Sequence, residues 1–270
     1  MEIWDQNYLT RPGAFLLQDT VTITSESVFS RDPRNQLVTS GFNNDATTTT
    51  IRIRLNAEPS VSYTGTVSRI ALMNHNWKQF IVSQRSNKAS TAGYLVLTST
   101  CQTTTANWTT NSMTSHYLAF SSIAVTDLYI FVTKTMVADS EKAVGSIYLA
   151  NNLLSFPVIP SAKNYMMTRD QISVNHELSD GGKRVHIIDE KFKCSLAFDY
   201  VSDSFRDSLK DLYDSGDQFV FVPFEPTAAG VWDSICFPCQ WHGKFDFYNF
   251  SDNAISAGYS GSIKLLETGI

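Results

Sequence analysis

Residues 47–56 read TTTTIRIRLN, and this stretch indicates the fold class more clearly than any other part of the chain. Its apolar residues alternate with polar ones, with Ile51, Ile53 and Leu55 on one side and Arg52, Arg54 and Asn56 on the other. Alternation with a period of two predicts a β-strand that has one buried face and one solvated face. We therefore expect a mainly β protein with further short strands on both sides of this one.

The rest of the N-terminal half fits that expectation. Its candidate strands are short and rich in β-branched and aromatic residues, and polar turn-forming residues separate them. The pattern is typical of a jelly-roll β-sandwich, which we predict over residues 21–152. Residues 1–20 contain Arg11-Pro12-Gly13 and predict an extended N-terminal arm. The predicted strands of this half are 47–56, 67–73, 79–83, 94–97, 117–121, 128–133 and 146–149.

A domain boundary is predicted between residues 152 and 164, where Pro157 and Pro160 interrupt the strand pattern. The turn sequence Ser179-Asp180-Gly181-Gly182 then predicts a hairpin between strands 172–178 and 185–188. Residues 192–200 alternate again and predict a separate, longer strand. The C-terminal domain, residues 164–270, is thus expected to be antiparallel.

The C-terminal half also contains the one stretch that favours a helix, at about residues 203–214. Ser202 or Ser204 can cap its first turn, and Gly216 suits its C-terminal end. Its apolar stripe is formed by Phe205, Leu209, Leu212 and Tyr213. Strands are predicted after it at 219–224, 236–250 and 260–266. The whole pattern predicts an antiparallel β-sandwich or split barrel with one short helix.

Composition and charge exclude several classes of protein. The chain has 270 residues, of which 43% are hydrophobic and 17% charged, so it is too apolar for a disordered protein. Its net charge of -5 argues against general nucleic-acid binding. No apolar run is long enough for a membrane-spanning helix. Met1–Asp5 lack the basic and apolar regions of a signal peptide, so we expect synthesis in the cytoplasm.

The cysteines offer the most suggestive spacing for a metal site. Cys236 and Cys239 form a C-x-x-C pair with His242 nearby, and Cys194 could supply a fourth ligand for zinc or an iron–sulfur cluster. The segment reads as a strand, however, which places His242 on the face opposite Cys239. Buried structural thiols are the competing interpretation, and it is the one we favour. We therefore expect no metal and no cofactor.

Catalytic motifs are missing from the sequence. It contains no G-x-G-x-x-G, no Walker A sequence and no H-E-x-x-H, and Gly258-Tyr259-Ser260-Gly261 does not match a nucleophile elbow. We expect a protein that is not an enzyme.

A long polar stretch, residues 98–115, is composed almost entirely of Ser, Thr and Asn around Trp108. Such a stretch is typical of a surface loop or an edge strand. The alternative is a binding loop in which Trp108 and Asn107 contact a glycan or a partner protein, since an aromatic ring with polar flanks suits a sugar. Asn107 also begins a glycosylation sequon, which we expect to be unused without secretion.

Asn74-His75-Asn76-Trp77 forms a candidate turn between two strands. Together with Thr47–Leu55, Val67–Val82 and Leu128–Leu149, this turn resembles the galactose-binding-like, discoidin-type jelly roll. The resemblance implies a sandwich that often binds glycans. For the turn itself, one interpretation is that His75 and Asn76 satisfy backbone groups at a corner while Trp77 packs in the core. The other is direct contact with a ligand.

The C-terminal half resembles the split-barrel domain of siphophage tail proteins, through Phe192–Tyr200, Phe205–Tyr213, Phe219–Phe224 and Trp241–Phe250. The two resemblances together imply a phage-tail structural protein of the distal-tail or baseplate type. Expected partners are further copies of the chain in a ring or trimer, tube, hub or fibre proteins, and host glycans. The expected location is the virion tail. The alternative function is that of a carbohydrate-binding module that recognises host surface glycans.

Overall fold

The structure of the chain is a computed structural model. The structure describes residues 1–5, 8–10, 15–18, 21–23, 37–38, 45, 48–55, 65–83, 116–157, 165–177, 182–223, 236–249 and 258–268. Within these ranges the protein is mainly β, with a single α-helix, which confirms the predicted fold class. The chain divides into two compact units. The N-terminal unit comprises Glu2–Leu153 and Val222–Cys236, and the C-terminal unit comprises Leu154–Phe221 and Phe237–Gly269.

The N-terminal unit is an antiparallel β-sandwich. One sheet has the strand order β3-β2-β5-β9-β7, the other has the order β11-β6-β8, and β4 pairs with β10. Its strands are β1 (Glu2–Trp4), β2 (Phe15–Gln18), β3 (Val21–Ile23), β4 (Leu37–Val38), β5 (Thr49–Arg54), β6 (Gly65–Met73), β7 (Trp77–Ser83), β8 (His116–Val125), β9 (Asp127–Thr135), β10 (Ala143–Val144) and β11 (Ser146–Ala150). β12 (Asn152–Ser155) follows where the two units meet in sequence.

The core of the sandwich follows from the alternation seen in the sequence. Ile51 and Ile53 of β5 are completely buried, whereas Arg52 and Arg54 face the other side of the sheet. The facing sheet contributes Ile70 and Leu72 from β6, and Ile147 from β11, to the same cluster. Burial of aliphatic side chains between two sheets is the main stabilising term for such a domain.

The first residues of the chain differ from the extended arm expected for residues 1–20. Ile3 and Trp4 of β1 are fully buried, a 3-10 helix follows at Tyr8–Thr10, and β2 pairs with β3 and β5. A strand of three residues is too short to show a period, so the sequence pattern could not reveal β1.

The C-terminal unit is built on an antiparallel sheet in which the strands β15, β16, β18, β14 and β13 lie side by side and β17 also pairs with β18. No closed barrel is formed by the described strands. The strands are β13 (Tyr165–Glu177), β14 (Lys183–Val201), β15 (Phe219–Val222), β16 (Phe237–Trp241), β17 (Asp246–Asn249) and β18 (Tyr259–Glu267). The expected strand 236–250 is therefore two strands separated by a turn, in which Gly243 has a φ of 93°.

Helix α1 spans Asp203–Ser215, close to its predicted bounds. The Ser202 hydroxyl accepts a hydrogen bond from the Phe205 amide, and Gly216 ends the helix in the left-handed conformation at φ 65°. Phe205 and Leu209 are buried, so the predicted stripe does face the sheet. The ring of Phe205 meets those of Phe156 and Phe198 edge to face, at 5.4 and 5.9 Å.

The hairpin of the C-terminal unit is much longer than predicted. β13 and β14 pair from Tyr165 opposite Leu196 to Glu177 opposite Lys183. The segments 185–188 and 192–200, expected as two strands, are parts of the single strand β14. The structure describes no helix that is long and apolar enough to cross a membrane.

Candidate functional site

The outer face of the five-stranded sheet carries a cluster of charged and aromatic side chains. β5 and β9 run antiparallel, with Arg52 opposite Tyr129 and Arg54 opposite Asp127. Since the neighbours Ile51, Ile53, Leu128 and Ile130 are fully buried in the core, these four residues face away from it. We call Arg52, Arg54, Asp127 and Tyr129 the outer-face cluster.

Asp127 holds both arginines of the outer-face cluster. Its Oδ1 and Oδ2 accept hydrogen bonds from Nε and Nη2 of Arg52, at 2.9 and 2.8 Å. Nε of Arg54 donates to Oδ1 at 2.9 Å. The Asp127 side chain is 18% exposed and the two arginines are 26% and 29% exposed, so the network lies at the surface but is partly shielded. Bidentate guanidinium–carboxylate contacts are strong and fix the orientation of both groups.

The aromatic part of the outer-face cluster lies directly beside this network. The guanidinium carbon of Arg52 is 5.5 Å from the centre of the Tyr129 ring, which is within the range of a cation–π contact. Phe131, two residues along β9, stacks beside Tyr129 with 11° between the ring planes and 6.3 Å between the ring centres. Phe131 is buried and Tyr129 is half-buried, so Tyr129 is the ring that solvent reaches.

This arrangement places fixed hydrogen-bonding groups next to an aromatic ring. The bonds to Asp127 use Nε and Nη2 of Arg52, and within the described residues Nη1 has no acceptor. A small polar ligand that lies on the ring could receive hydrogen bonds from guanidinium N–H groups and from the Tyr129 hydroxyl. Sequence reasoning identified Arg52 and Arg54 only as the polar side of a strand, because their partners lie 73 to 77 residues further along the chain.

The predicted turn Asn74-His75-Asn76-Trp77 connects β6 to β7. Asn74 has a φ of 53°, a left-handed conformation, and a Cβ added at Gly145 would come within 2.8 Å of the Asn74 Cβ. His75 is buried, and its Nδ1 accepts a hydrogen bond from the Trp77 amide at 3.1 Å. The His75 ring stacks on the fully buried Trp77 ring at 5.3 Å. His75 and Trp77 thus face the interior of the sandwich, whereas Asn74 is exposed.

Asn76 links the turn to the segment before β10. Its Oδ1 accepts a hydrogen bond from the Ala143 amide at 2.8 Å, and its Nδ2 donates to the Glu141 carbonyl at 2.6 Å. The amide of Asn76 donates to the Ala143 carbonyl at 3.1 Å. The side chain therefore satisfies backbone groups at a corner, which is one of the two roles that the sequence left open for it.

Cys194 lies in β14 and Cys239 in β16, and Cys236 and His242 lie directly before and after β16. Cys194, Cys236 and Cys239 are buried, whereas His242 is exposed and its amide donates to the Lys264 carbonyl at 2.8 Å. Among the described residues, no group of three or more His, Cys, Asp or Glu side chains is arranged to hold a metal ion. Burial raises the pKa of the Cys194 thiol to about 12. Asn107 and Trp108 lie outside the described residues.

A buried ionic cluster around Glu2 was missed by sequence reasoning. The Glu2 carboxylate accepts hydrogen bonds from Arg69 Nε at 2.9 Å, Arg69 Nη2 at 2.8 Å, Tyr117 Oη at 2.6 Å and Trp4 Nε1 at 2.7 Å. Burial by itself raises the pKa of Glu2, but these donors and the Arg69 charge outweigh it, so the pKa lies below its usual value. The pKa of Tyr117 is raised by burial and by the Glu2 charge.

The Glu2 cluster fixes β1 to strands that lie 67 and 115 residues further along the chain. All four donors converge on one carboxylate, and the group is closed to solvent, since Glu2 is 6% exposed. The cluster thereby ties β1 to β6 and β8. No local pattern in the sequence signals such a contact.

Comparison with known proteins gives few matches. No family model matches the chain, and no curated protein is similar to it in sequence. Among solved structures, it is similar to the GH29 fucosidase of Ruminococcus gnavus in complex with fucose, at 10% identity and a TM-score of 0.38. That match covers 54% of this chain and 27% of the fucosidase, so the matched region is a minor part of that enzyme.

Two smaller solved structures give a similar result. One is CpGH89CBM32-6, produced by Clostridium perfringens, at 8% identity and a TM-score of 0.37. The other is chitosan-binding module 1 of a chitosanase/glucanase from Paenibacillus sp. IK-5, at 9% identity and a TM-score of 0.37. Each match covers 54% of this chain and 99% of the other chain. A likeness at this level assigns neither a family nor a ligand to this protein.

Proposed function

We propose that this protein is a non-catalytic carbohydrate-binding protein and that the outer-face cluster is its sugar site. The observation that carries the proposal is the position of Tyr129, half-buried beside two guanidinium groups that one carboxylate holds in place. A pyranose has an apolar face of C–H groups and a rim of hydroxyls. An aromatic ring next to fixed charged hydrogen-bonding groups complements both features.

The charge of the cluster refines the proposal. Arg52 and Arg54 together carry two positive charges and Asp127 carries one negative charge, so the cluster has an excess of one positive charge. We therefore expect sugars that carry a carboxylate or sulfate to bind more tightly than neutral sugars of the same size.

The proposal assigns no catalytic role to Asp127. Both of its oxygens accept hydrogen bonds from guanidinium groups, so the carboxylate orients Arg52 and Arg54. General acid–base work in a glycosidase needs a second carboxylate across the scissile bond. The cluster contains one carboxylate, which suits binding.

A glycan array with the full chain tests the proposal. The Tyr129→Ala variant should bind its best glycan at least about tenfold more weakly than the parent, because it loses the ring that the sugar rests on. Arg52→Lys should also weaken binding, because a lysine keeps the charge but loses the bidentate contact with Asp127. Isothermal titration with the best array ligand would measure both losses.

Tyr248→Ala is the matched control for Tyr129→Ala. Tyr248 is a tyrosine of the C-terminal unit with 62% of its surface exposed, and its removal should leave glycan affinity unchanged. Circular dichroism would verify that each variant is folded. Arrays that stay blank for the parent protein, or full binding by Tyr129→Ala, would contradict the proposal.

A second candidate function is that of a structural protein of a phage tail, located in the virion and in contact with tube, hub or fibre proteins. The observation in its favour is the long edge strand β13, because in a ring such an edge could pair with a different surface of the next copy. Negative-stain imaging of the purified protein tests it. Closed rings of three or six copies would support this function, and particles without rotational symmetry would count against it.

A further inference from the structure

The hairpin of β13 and β14 extends beyond the rest of its sheet. β18 pairs with β14 only from Lys193 onward, so residues 183–192 of β14 have β13 as their single strand neighbour among the described residues. Ten residues of strand span roughly 30 Å. A two-stranded ribbon of this length is marginally stable in water without further contacts.

The outer edge of β13 has the features of a pairing edge. β13 is the last strand of its sheet, and among the described strands only β14 pairs with it. Its pairing with β14 shifts register between Ile172 and Ser173, where the extra residue, Ile188, lies on β14. The sequence from Tyr165 to Glu177 contains no Pro and no Lys, the residues that commonly protect an edge from pairing. Exposed apolar side chains lie on β13 itself, at Met166 (61% exposed) and Val174 (40%), and on the neighbouring β14 at Val185 (62%).

The residue order of β13 is complementary to itself when the strand is reversed. If two copies run antiparallel about Ser173, each position i of one copy lies opposite position 346 − i of the other, and both lie on the same face of the sheet. Arg169 then lies opposite the partner's Glu177, and Asp170 lies opposite the partner's His176. Gln171 meets the partner's Asn175, and Ile172 meets the partner's Val174. Arg169 and Glu177 carry opposite charges, Gln171 and Asn175 are both amides, and Ile172 and Val174 are both aliphatic, so each of these pairs is favourable.

The neighbouring registers lose this match. Centred on residue 172, the pairing would place Arg169 opposite the partner's Asn175 and Asp170 opposite the partner's Val174. Centred on residue 174, it would place Gln171 opposite the partner's Glu177 and Ile172 opposite the partner's His176. Of these three registers, the one about Ser173 is the one that places Arg169 opposite the partner's Glu177, so residue order favours this alignment.

We propose that β13 pairs with β13 of a second copy of this chain, antiparallel about Ser173, so that one continuous sheet runs through a two-fold dimer. A two-fold contact of this kind is closed, because the same edge is used by both copies. The inference is independent of sugar binding, since the outer-face cluster lies in the other unit. It also differs from ring assembly, which needs two different surfaces on each copy.

Light scattering of the full chain over a concentration series tests the proposal. The expected mass at high concentration is that of two chains. A mass of one chain at every concentration up to about 100 µM, well above the micromolar affinities of ordinary specific complexes, would overturn it. A mass of three or six chains would also overturn it, and would support ring assembly instead.

A charge exchange tests the register directly. Arg169→Glu places two glutamates opposite each other at both ends of the pairing, and Glu177→Arg places two arginines there. Each variant alone should dimerise at least about tenfold more weakly, because two attractive pairs become repulsive. An equimolar mixture should form the heterodimer, since every Glu then lies opposite an Arg.

The mixture is also the control for folding, because a misfolded variant could not restore the dimer. Asp199→Arg changes the charge of an exposed residue of β14 that lies away from the proposed contact, and it should leave the dimer unchanged. If the single variants dimerise like the parent, or if the mixture stays monomeric while the parent dimerises, the register about Ser173 is wrong.

Discussion

At the scale of single residues, Glu2 shows how a buried charge is made tolerable. Its carboxylate is 6% exposed, and it accepts hydrogen bonds from a guanidinium, a phenol and an indole. Removing one partner of such a group leaves the others buried without a hydrogen-bond partner. The resulting loss of folding free energy is larger than the net stabilisation that the intact pair provides. The cluster therefore ties β1 to β6 and β8.

Glu2→Gln should destabilise the protein at neutral pH by about 2 to 4 kcal/mol, because the Arg69 guanidinium loses its charged partner while it stays buried. The loss should depend on pH. Since the pKa of Glu2 is lowered on folding, its contribution is present above the unfolded pKa of about 4.3 and is lost as pH falls through the folded pKa. Urea unfolding of the parent and of Glu2→Gln from pH 7 to pH 3 would measure both free energies of unfolding, and the difference between them should shrink as pH falls.

Glu141→Gln is a suitable control, because Glu141 is exposed and, in the part of the chain that the structure describes, the bond from Asn76 goes to its backbone carbonyl, which the substitution keeps. Its substitution should leave the free energy of unfolding within about 0.5 kcal/mol of the parent value. A Glu2→Gln variant that is as stable as this control at pH 7 would show that the cluster does not hold β1.

At the scale of secondary-structure elements, α1 is fixed by both its ends and its buried face. Ser202 caps the start, Gly216 ends the helix in the left-handed region, and Phe205 enters an aromatic group with Phe156 and Phe198. The caps determine where the helix begins and ends. The buried face determines how it packs.

Phe205→Ala should lower the free energy of unfolding by about 3 to 5 kcal/mol, because it removes a buried ring and leaves a cavity. Chemical denaturation followed by fluorescence would measure the change. Asp211→Ala on the exposed side of the same helix is the matched control and should have little effect. A loss below about 1 kcal/mol for Phe205→Ala would mean that the ring is not packed as described.

Elements with a long regular pattern could be predicted from the sequence, and those that depend on distant partners could not. Ile51 and Ile53 revealed β5, and the spacing of Phe205 and Leu209 revealed α1. Residues 189–191 (DEK) are charged and break the alternation, so the sequence predicts two strands where the structure has the single strand β14. These three residues nevertheless form part of the strand, because β13 pairs with their backbone.

The candidate site was even less visible in the sequence, for the same reason. The alternation showed that Arg52 and Arg54 are on the solvated side of a strand. It could not show that Asp127 and Tyr129 lie opposite them, because the pairing of β5 with β9 is set by the whole core. The turn from Asn74 to Trp77 could be predicted, because a corner between strands needs residues such as Asn that adopt left-handed backbone conformations and bond to backbone groups.

At the scale of the whole molecule, the two units have separate tasks in our interpretation. The N-terminal unit presents the outer-face cluster, and the C-terminal unit presents the edge of β13. A dimer through that edge would carry two sugar sites, and two weak sites on one particle bind a surface that displays many copies of a glycan more strongly than one site does.

Dimerisation should also be visible in thermal stability. If folded chains pair and unfolded chains do not, the melting temperature of the parent should rise by about 1 to 2 °C for each tenfold increase in concentration. The Arg169→Glu variant should show a smaller rise over the same range. Differential scanning fluorimetry or calorimetry from about 1 to 100 µM would measure both slopes, and equal slopes would argue against the edge contact.

The three buried cysteines have a practical consequence. Only the thiolate form reacts with alkylating reagents, and burial raises the pKa of Cys194 to about 12, so its native thiol reacts slowly. Labelling must then wait until the surrounding structure opens. Cys194 and Cys239 belong to the C-terminal unit and Cys236 to the N-terminal unit. In a Cys101→Ser background, mass spectrometry of iodoacetamide labelling at each site would time the opening of each unit separately, with no added probe.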